Sequence, residues 1–293
     1  MNRYIGDILL LITAIVWGSG FVMTAVALEH LTAYEVMAGR FLLGTLIITV
    51  LFYKKLRLIS KSVLWKGAVL GTILFVAFAL QTVGLEYTTP SKNAFLTAVN
   101  VVIVPVIAYL VYRRRIDRHE LTASVIALTG IALLSLQGSF TINIGDLLTL
   151  LCAVGFAFDI FYTNLFVKKE DALVLTIVQF ATAALLSTGA VLFQGGFPSS
   201  PSNEAIWSVV YLAVFSTTIA YVCQNLAFRY TTPTKAAVIL SLESFFGSVL
   251  AVLFINDVMT GRMVFGAALI LVAVLVAEVK PAFRLKSSVR TDH

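Results

Sequence analysis

Apolar residues run along this chain in blocks of about twenty, each closed by a short cluster of charged or turn-forming residues. A helix needs about 20 mostly apolar residues to cross a hydrocarbon layer of roughly 30 Å, so each block is read as one membrane span. Ten spans are expected, at 5–28, 33–53, 65–86, 90–112, 119–137, 145–167, 171–194, 204–228, 233–255 and 261–279. The blocks lack a period of two and far exceed the roughly 9 to 11 residues of a barrel strand, which points to an all-α membrane bundle. The first block follows a single Arg3 and stays apolar for about 24 residues, longer than the apolar region of a signal peptide, so it is expected to stay as a helix.

Composition agrees with the pattern. Of 293 residues, 59% are apolar and 12% charged, against about a quarter charged in soluble domains. Ten spans with short connections use up the length and leave no room for a separate soluble domain. Cys152 and Cys223 both lie in apolar blocks and read as small buried residues, without a disulfide framework or a multi-cysteine metal site. No metal or other cofactor is expected.

Charge sets the expected orientation, because Lys and Arg are retained on the cytoplasmic side in short loops. With the N-terminus inside, the inner segments hold Arg3, the Lys54–Lys66 group, the Arg113–Arg118 group, Lys168, Lys169, Arg229, Lys235 and the Lys280–Arg290 group. These are 18 of the 21 Lys and Arg, leaving Lys92 and Arg262 outside and Arg40 within a span. Both termini are therefore expected in the cytoplasm, in the cell (inner) membrane. Topology also accounts for the net charge of +6, so the Arg113–Arg115 run calls for no nucleic-acid partner; the expected partners are the lipid bilayer and a small-molecule substrate.

The chain carries an internal duplication. Leu85-Glu86-Tyr87-Thr88-Thr89-Pro90-Ser91-Lys92 returns as Phe228-Arg229-Tyr230-Thr231-Thr232-Pro233-Thr234-Lys235 at an offset of 143, with Gln81 matching Gln224. Gly6-Asp7-Ile8-Leu9-Leu10 resembles Gly145-Asp146-Leu147-Leu148-Thr149 at an offset of 139. Two five-helix repeats are expected, at 1–138 and 139–280, followed by a basic tail at 281–293. Five is odd, so the second copy enters the membrane upside down, as in inverted-repeat transporters. Thr89 and Thr232 can cap helices whose first positions are Pro90 and Pro233, a structural role. Asp7 and Asp146 sit in first turns, where the macrodipole favours a carboxylate, and read as anchors.

Polar groups at membrane depth are costly and should face a cavity or a partner. Glu243 lies ten residues past Pro233, about 15 Å along a helix, which places it near the midplane. Asn100 is its counterpart at the offset of 143. Asp159 lies deep in the sixth span and pairs at the offset of 139 with Gly20, whose neighbours Trp17, Gly18 and Ser19 can leave room for a solute. Arg40 matches Gln179 and can pair with Asp159 or Glu243, or snorkel outward. Ser216, Thr217 and Thr218, with Tyr221 one turn on, form a hydrogen-bonding band. The expected substrate contacts are thus Glu243, Asn100, Trp17, Ser19, Asp159, Thr217 and Tyr221, with Arg40, Pro90 and Pro233 in structural or coupling roles.

Val16-Trp17-Gly18-Ser19-Gly20-Phe21, Gly39-Arg40-Phe41 and Tyr230-Thr231-Thr232-Pro233 through Leu240-Ser241-Leu242-Glu243, in this order over almost the whole chain, resemble the EamA family of the drug/metabolite transporter superfamily. The chain departs from that pattern at Ile255-Asn256-Asp257, in place of Gly-Glu, and at Ser244, in place of a common Pro. The resemblance implies an exporter of amino acids, other small metabolites or drugs working by alternating access. A Walker A pattern is absent, so any coupling is to ion or solute gradients. An intramembrane enzyme is the competing class, but the chain has no H-E-x-x-H pair and its histidines, His30, His119 and His293, fall in loops or the tail. A channel would need rings of like groups at one level.

Overall fold

The computed structural model describes residues 3–112, 143–198 and 201–278, with isolated positions between 122 and 133. The expected span at 119–137 and the basic tail fall mostly or wholly outside the described residues. Among those residues the regular structure is helical throughout, and seven helices are long and apolar enough to cross a membrane. In chain order they are α1 (Arg3–Leu28), α2 (Ala33–Leu51), α3 (Lys61–Leu85), α4 (Pro90–Thr97) with α5 (Asn100–Tyr112), α6 (Ile144–Phe166), α7 (Ala172–Phe193), and α8 (Asn203–Tyr211) running through a π-helical stretch (Leu212–Ile219) into α9 (Ala220–Ala227). The shorter α10 (Pro233–Leu240), α11 (Glu243–Ile255) and α12 (Gly261–Glu278) follow.

Local chemistry sets the helix starts. Thr32 and Glu35 form a reciprocal capping box on α2, and Thr89 and Thr232 accept the amides of Lys92 and Lys235. Pro90 and Pro233 occupy the first turns of α4 and α10, where a missing amide donor loses nothing.

Two expected spans are not single helices. The 90–112 span breaks at Ala98 and Val99, where tight bonds run from Val99 N to Leu96 O (3.3 Å) and from Val101 N to Ala98 O (3.2 Å). The 233–255 span breaks identically at an offset of 143: Leu242 N bonds Ile239 O (3.2 Å) and Ser244 N bonds Ser241 O (3.1 Å). Asn100 and Glu243 therefore begin half-helices. In the 204–228 span the π-helical stretch spaces its bonds more widely, with Thr218 Oγ1 reaching the Ala213 carbonyl at 2.8 Å.

The core is built from α3 packed on α6 and α7, α2 on α7, α1 on α9 and α11, and α4 on α11. At one end, a Cβ on Gly145 would lie 2.5 Å from the Gly84 carbonyl, so α3 and α6 meet there through bare backbone. The outer faces expose Leu46, Trp65, Leu110, Phe193 and Phe254, a surface suited to lipid.

Two ion pairs tie the halves together, which the loop assignment of Lys92 did not anticipate. Lys92 is buried and stands 3.6 Å from Asp146; Lys235 stands 2.7 Å from Asp7. The two pairs exchange partners under the offsets of 143 and 139. Both are formed in the same structure, so they fasten α4 to α6 and α10 to α1 at once.

On the side assigned to the cytoplasm, Lys66 and Ser62 bond Glu170, and Lys55 bonds Asp171 at 2.6 Å. Hydrogen bonding from Lys66, then Ser62, holds the Glu170 carboxyl below its ordinary value. Burial alone would raise Asp171, but the bond from Lys55 and the Val174 and Leu173 amides outweigh it and lower the net value. This stabilisation is complete above the ordinary carboxylate range and is lost as pH falls through the lowered values. The melting temperature should drop more steeply below about pH 4 in the native protein than in a Lys55→Ala/Lys66→Ala variant. Equal slopes would show that the staple contributes nothing.

Candidate functional site

The middle of the bundle encloses a cavity of about 570 Å3, its mouth included. Its aromatic wall is made by Trp17 on α1, Phe78 on α3, Phe156 on α6 and Tyr221 on α9. The Trp17 and Tyr221 ring centroids lie 5.0 Å apart, and those of Phe78 and Phe156 5.1 Å apart and edge to face. The π-helical stretch supports this wall: its Ser216 carbonyl accepts from Trp17 Nε1 at 2.9 Å.

Arg40 enters the cavity from α2 and is buried. Its Nε donates to Thr217 Oγ1 (2.9 Å) and its NH2 to Ser216 Oγ (3.2 Å), while the guanidinium lies 4.4 Å from the Phe78 ring centre. Among the described residues it has no carboxylate partner, and being buried it does not snorkel outward either, so neither of the two expected alternatives, pairing with Asp159 or Glu243 or snorkelling, is what its contacts show. Asp159 instead accepts from Gln179 Nε2 at 2.8 Å, the position equivalent to Arg40. Glu243, on the opposite wall, is 5% exposed and likewise has no cationic partner among the described residues.

Several buried polar atoms around the cavity find no hydrogen-bond partner among the described residues: Asn100 Oδ1, Tyr221 Oη, and Gln224 Oε1 and Nε2. Buried polar groups are normally satisfied, so this set marks where a solute's polar groups can bind.

Of the residues singled out from sequence, Trp17, Asn100, Asp159, Tyr221, Glu243 and Arg40 line this cavity. Ser19 and Thr217 do not. Ser19 bonds the Val16 carbonyl and Tyr211 Oη, both at 2.7 Å, and Thr217 acts as an acceptor for Arg40. Phe78 and Phe156 were missed, although a signal existed. Six pairs of lining residues stand at the duplication offsets: Trp17 with Phe156, Gly20 with Asp159, Phe21 with Ile160, Phe78 with Tyr221, Gln81 with Gln224, and Asn100 with Glu243. Carrying each candidate to its counterpart would have found both phenylalanines.

Comparison with known proteins points the same way. A family model described as the EamA-like transporter family matches residues 4–136 and again 143–278. An uncharacterized transporter of Archaeoglobus fulgidus is 31% identical over 96% of this chain and 88% of its own length. A probable amino-acid metabolite efflux pump of Salmonella typhimurium is 26% identical over 92% of this chain and 93% of its own. A solved structure superimposes with a TM-score of 0.72 at 16% identity, covering 93% of this chain and 97% of that one, a likeness of fold alone.

Proposed function

The chain belongs to the EamA-like transporter family, and from that premise we propose that this membrane transporter exports a small amphipathic metabolite, an amino acid or a drug of similar size, by alternating access. The observation that carries this reading is that a guanidinium, Arg40, and a carboxyl group, Glu243, neither with an ion-pair partner among the described residues, line one aromatic-walled cavity. A zwitterion with an apolar body fits that arrangement. Its carboxylate meets Arg40, its ammonium meets Glu243 and Asn100 Oδ1, and its side chain rests among Trp17, Phe78, Phe156 and Tyr221. Charge-assisted hydrogen bonds of this kind are about twice as strong as neutral ones.

The proposed architecture has ten spans in the inner membrane, with repeats at 1–138 and 139–280 inverted about the cavity and both termini in the cytoplasm. The six lining pairs and the exchanged ion pairs support it, since inverted halves place their substrate site at their interface. A carrier of this kind is neither an enzyme nor a pore, and gradients of ions or solute drive it. Trp17, Asn100, Asp159, Tyr221 and Glu243 are proposed to contact substrate, while Ser19 and Thr217 serve one layer back.

Counterflow in proteoliposomes tests the reading. Amino acids trapped inside should accelerate entry of labelled amino acid, and saturably. A flux that never saturates and ignores solute on the far side would overturn it in favour of a pore. A reporter fused after His293 should be cytoplasmic; an external one would end the inverted-repeat plan.

A further inference from the structure

Resting on that inverted-repeat reading, the lining of the cavity is lopsided in a way that identifies a gate. Apart from the six pairs, Thr24, Arg40, Thr82, Leu85, Asn93 and Thr97 line it from the first half, whereas among the described residues Ser216 alone does so from the second. All but Arg40 lie toward one end of the bundle, at the close of α1 and α3 and the start of α4. The counterparts of those five, Thr163, Asn225, Phe228, Ala236 and Leu240, do not line the cavity and are at most 1% exposed. Phe228, Ala236 and Leu240 pack with Leu10, Phe161 and Ala237 in one apolar cluster. The cavity thus reaches toward the end assigned to the outside, and its mirror path is filled.

The fill has a latch without an outer equivalent. Asn164 on α6 donates from Nδ2 to the Phe228 carbonyl (3.1 Å) and to the Thr231 carbonyl (3.2 Å), bridging to the turn between α9 and α10. Its counterpart at the offset of 139 is Ala25, which has no side-chain donor. The asymmetry is chemical as well as geometric: Asn93 bonds Thr149 at 2.8 Å at the open end, while the equivalent positions, Ala236 and Leu10, are apolar. Below the plug, the tight turn at Ser241 and Leu242 supplies a hinge, since short tight turns inside a helix mark places where it can bend.

We infer that Phe228, Ala236 and Leu240 form the cytoplasmic gate of this transporter, that the Asn164 fork latches it shut, and that the structure is its outward-facing state. Opening swings the α9–α10 turn away from α6 about Ser241, while the Lys235 and Asp7 pair keeps α10 fastened to α1. Loss of the fork removes two hydrogen bonds, the one to Phe228 buried and the one to Thr231 part-buried, made only when the gate is shut, and a two-state equilibrium moves by the difference in free energy between its states. The inward-facing population therefore rises about tenfold or more.

Two cysteine reporters read this out in a background with Cys152→Ala and Cys223→Ala. Thr24→Cys should react with an impermeant thiol reagent added outside, and Leu240→Cys should be protected from the same reagent at the inner face of inside-out vesicles. Adding Asn164→Ala should raise Leu240→Cys labelling about tenfold and lower Thr24→Cys labelling. Labelling that rises at Leu240→Cys with Thr24→Cys unchanged would mean local loosening and overturn the gate. Unchanged labelling at both sites, in a protein that still shows counterflow, would overturn the gate and leave the carrier reading standing. Absent counterflow in the native protein would remove the carrier reading itself.

Discussion

Glu243→Gln is expected to leave a folded, inserted protein whose counterflow of zwitterionic solutes falls at least tenfold. The residue opens α11 after the break at Leu242, faces the cavity and has no cationic partner among the described residues. Glutamine keeps the shape and one acceptor oxygen and removes only the charge. A hydrogen bond to a charged group contributes about 1.5–3 kcal/mol, or roughly ten- to a hundredfold in affinity. Folding should suffer little, because glutamine has the same shape and the carboxyl has no ion-pair partner among the described residues to lose. The melting temperature should hold or rise while solute-dependent protection against melting is lost. Native flux over a broad pH range would exclude Glu243 from both substrate binding and coupling.

Gly18→Ala should instead damage stability and transport together. A Cβ at this position would lie 2.7 Å from Phe246 Cβ, 2.8 Å from the Gly247 amide and 3.1 Å from the Glu243 carbonyl. Two of these neighbours are backbone, so α1 and α11 must separate. Forcing a methyl group into a closed contact costs about 1–3 kcal/mol, and the separation displaces Glu243 from the facing wall. Melting in detergent and counterflow should both fall. Gly189→Ala is the control: nothing lies within 4 Å of its Cβ, so helix propensity alone applies and the change should be neutral or slightly stabilising. Matching behaviour of the two variants would disprove the close α1–α11 contact.

The sequence by itself determined what depends on local physics and on periodicity. Apolar run length marks helices that can cross a membrane because no water is available to satisfy an exposed backbone there. Thr-Thr-Pro marks helix starts because the hydroxyl caps an amide and proline gives up none that is needed. The duplication located Asn100 and Glu243 at equal depth, and both reach the cavity.

Tertiary structure alone decided which polar groups meet. Arg40 carries the same charge whether it pairs with Asp159 or with a threonine, and only the lateral placement of α2 beside the π-helical stretch gives it Ser216 and Thr217. Lys92 reads as a loop cation until the junction of α3, α4 and α6 buries it against Asp146. The breaks at Ala98 and Ser241 fall where neither proline nor glycine announces them. The lopsided cavity was likewise out of reach: two sequence halves related by an offset specify a symmetric pair of paths, and it is packing in a given state that fills one of them with Phe228, Ala236 and Leu240 and leaves the other open.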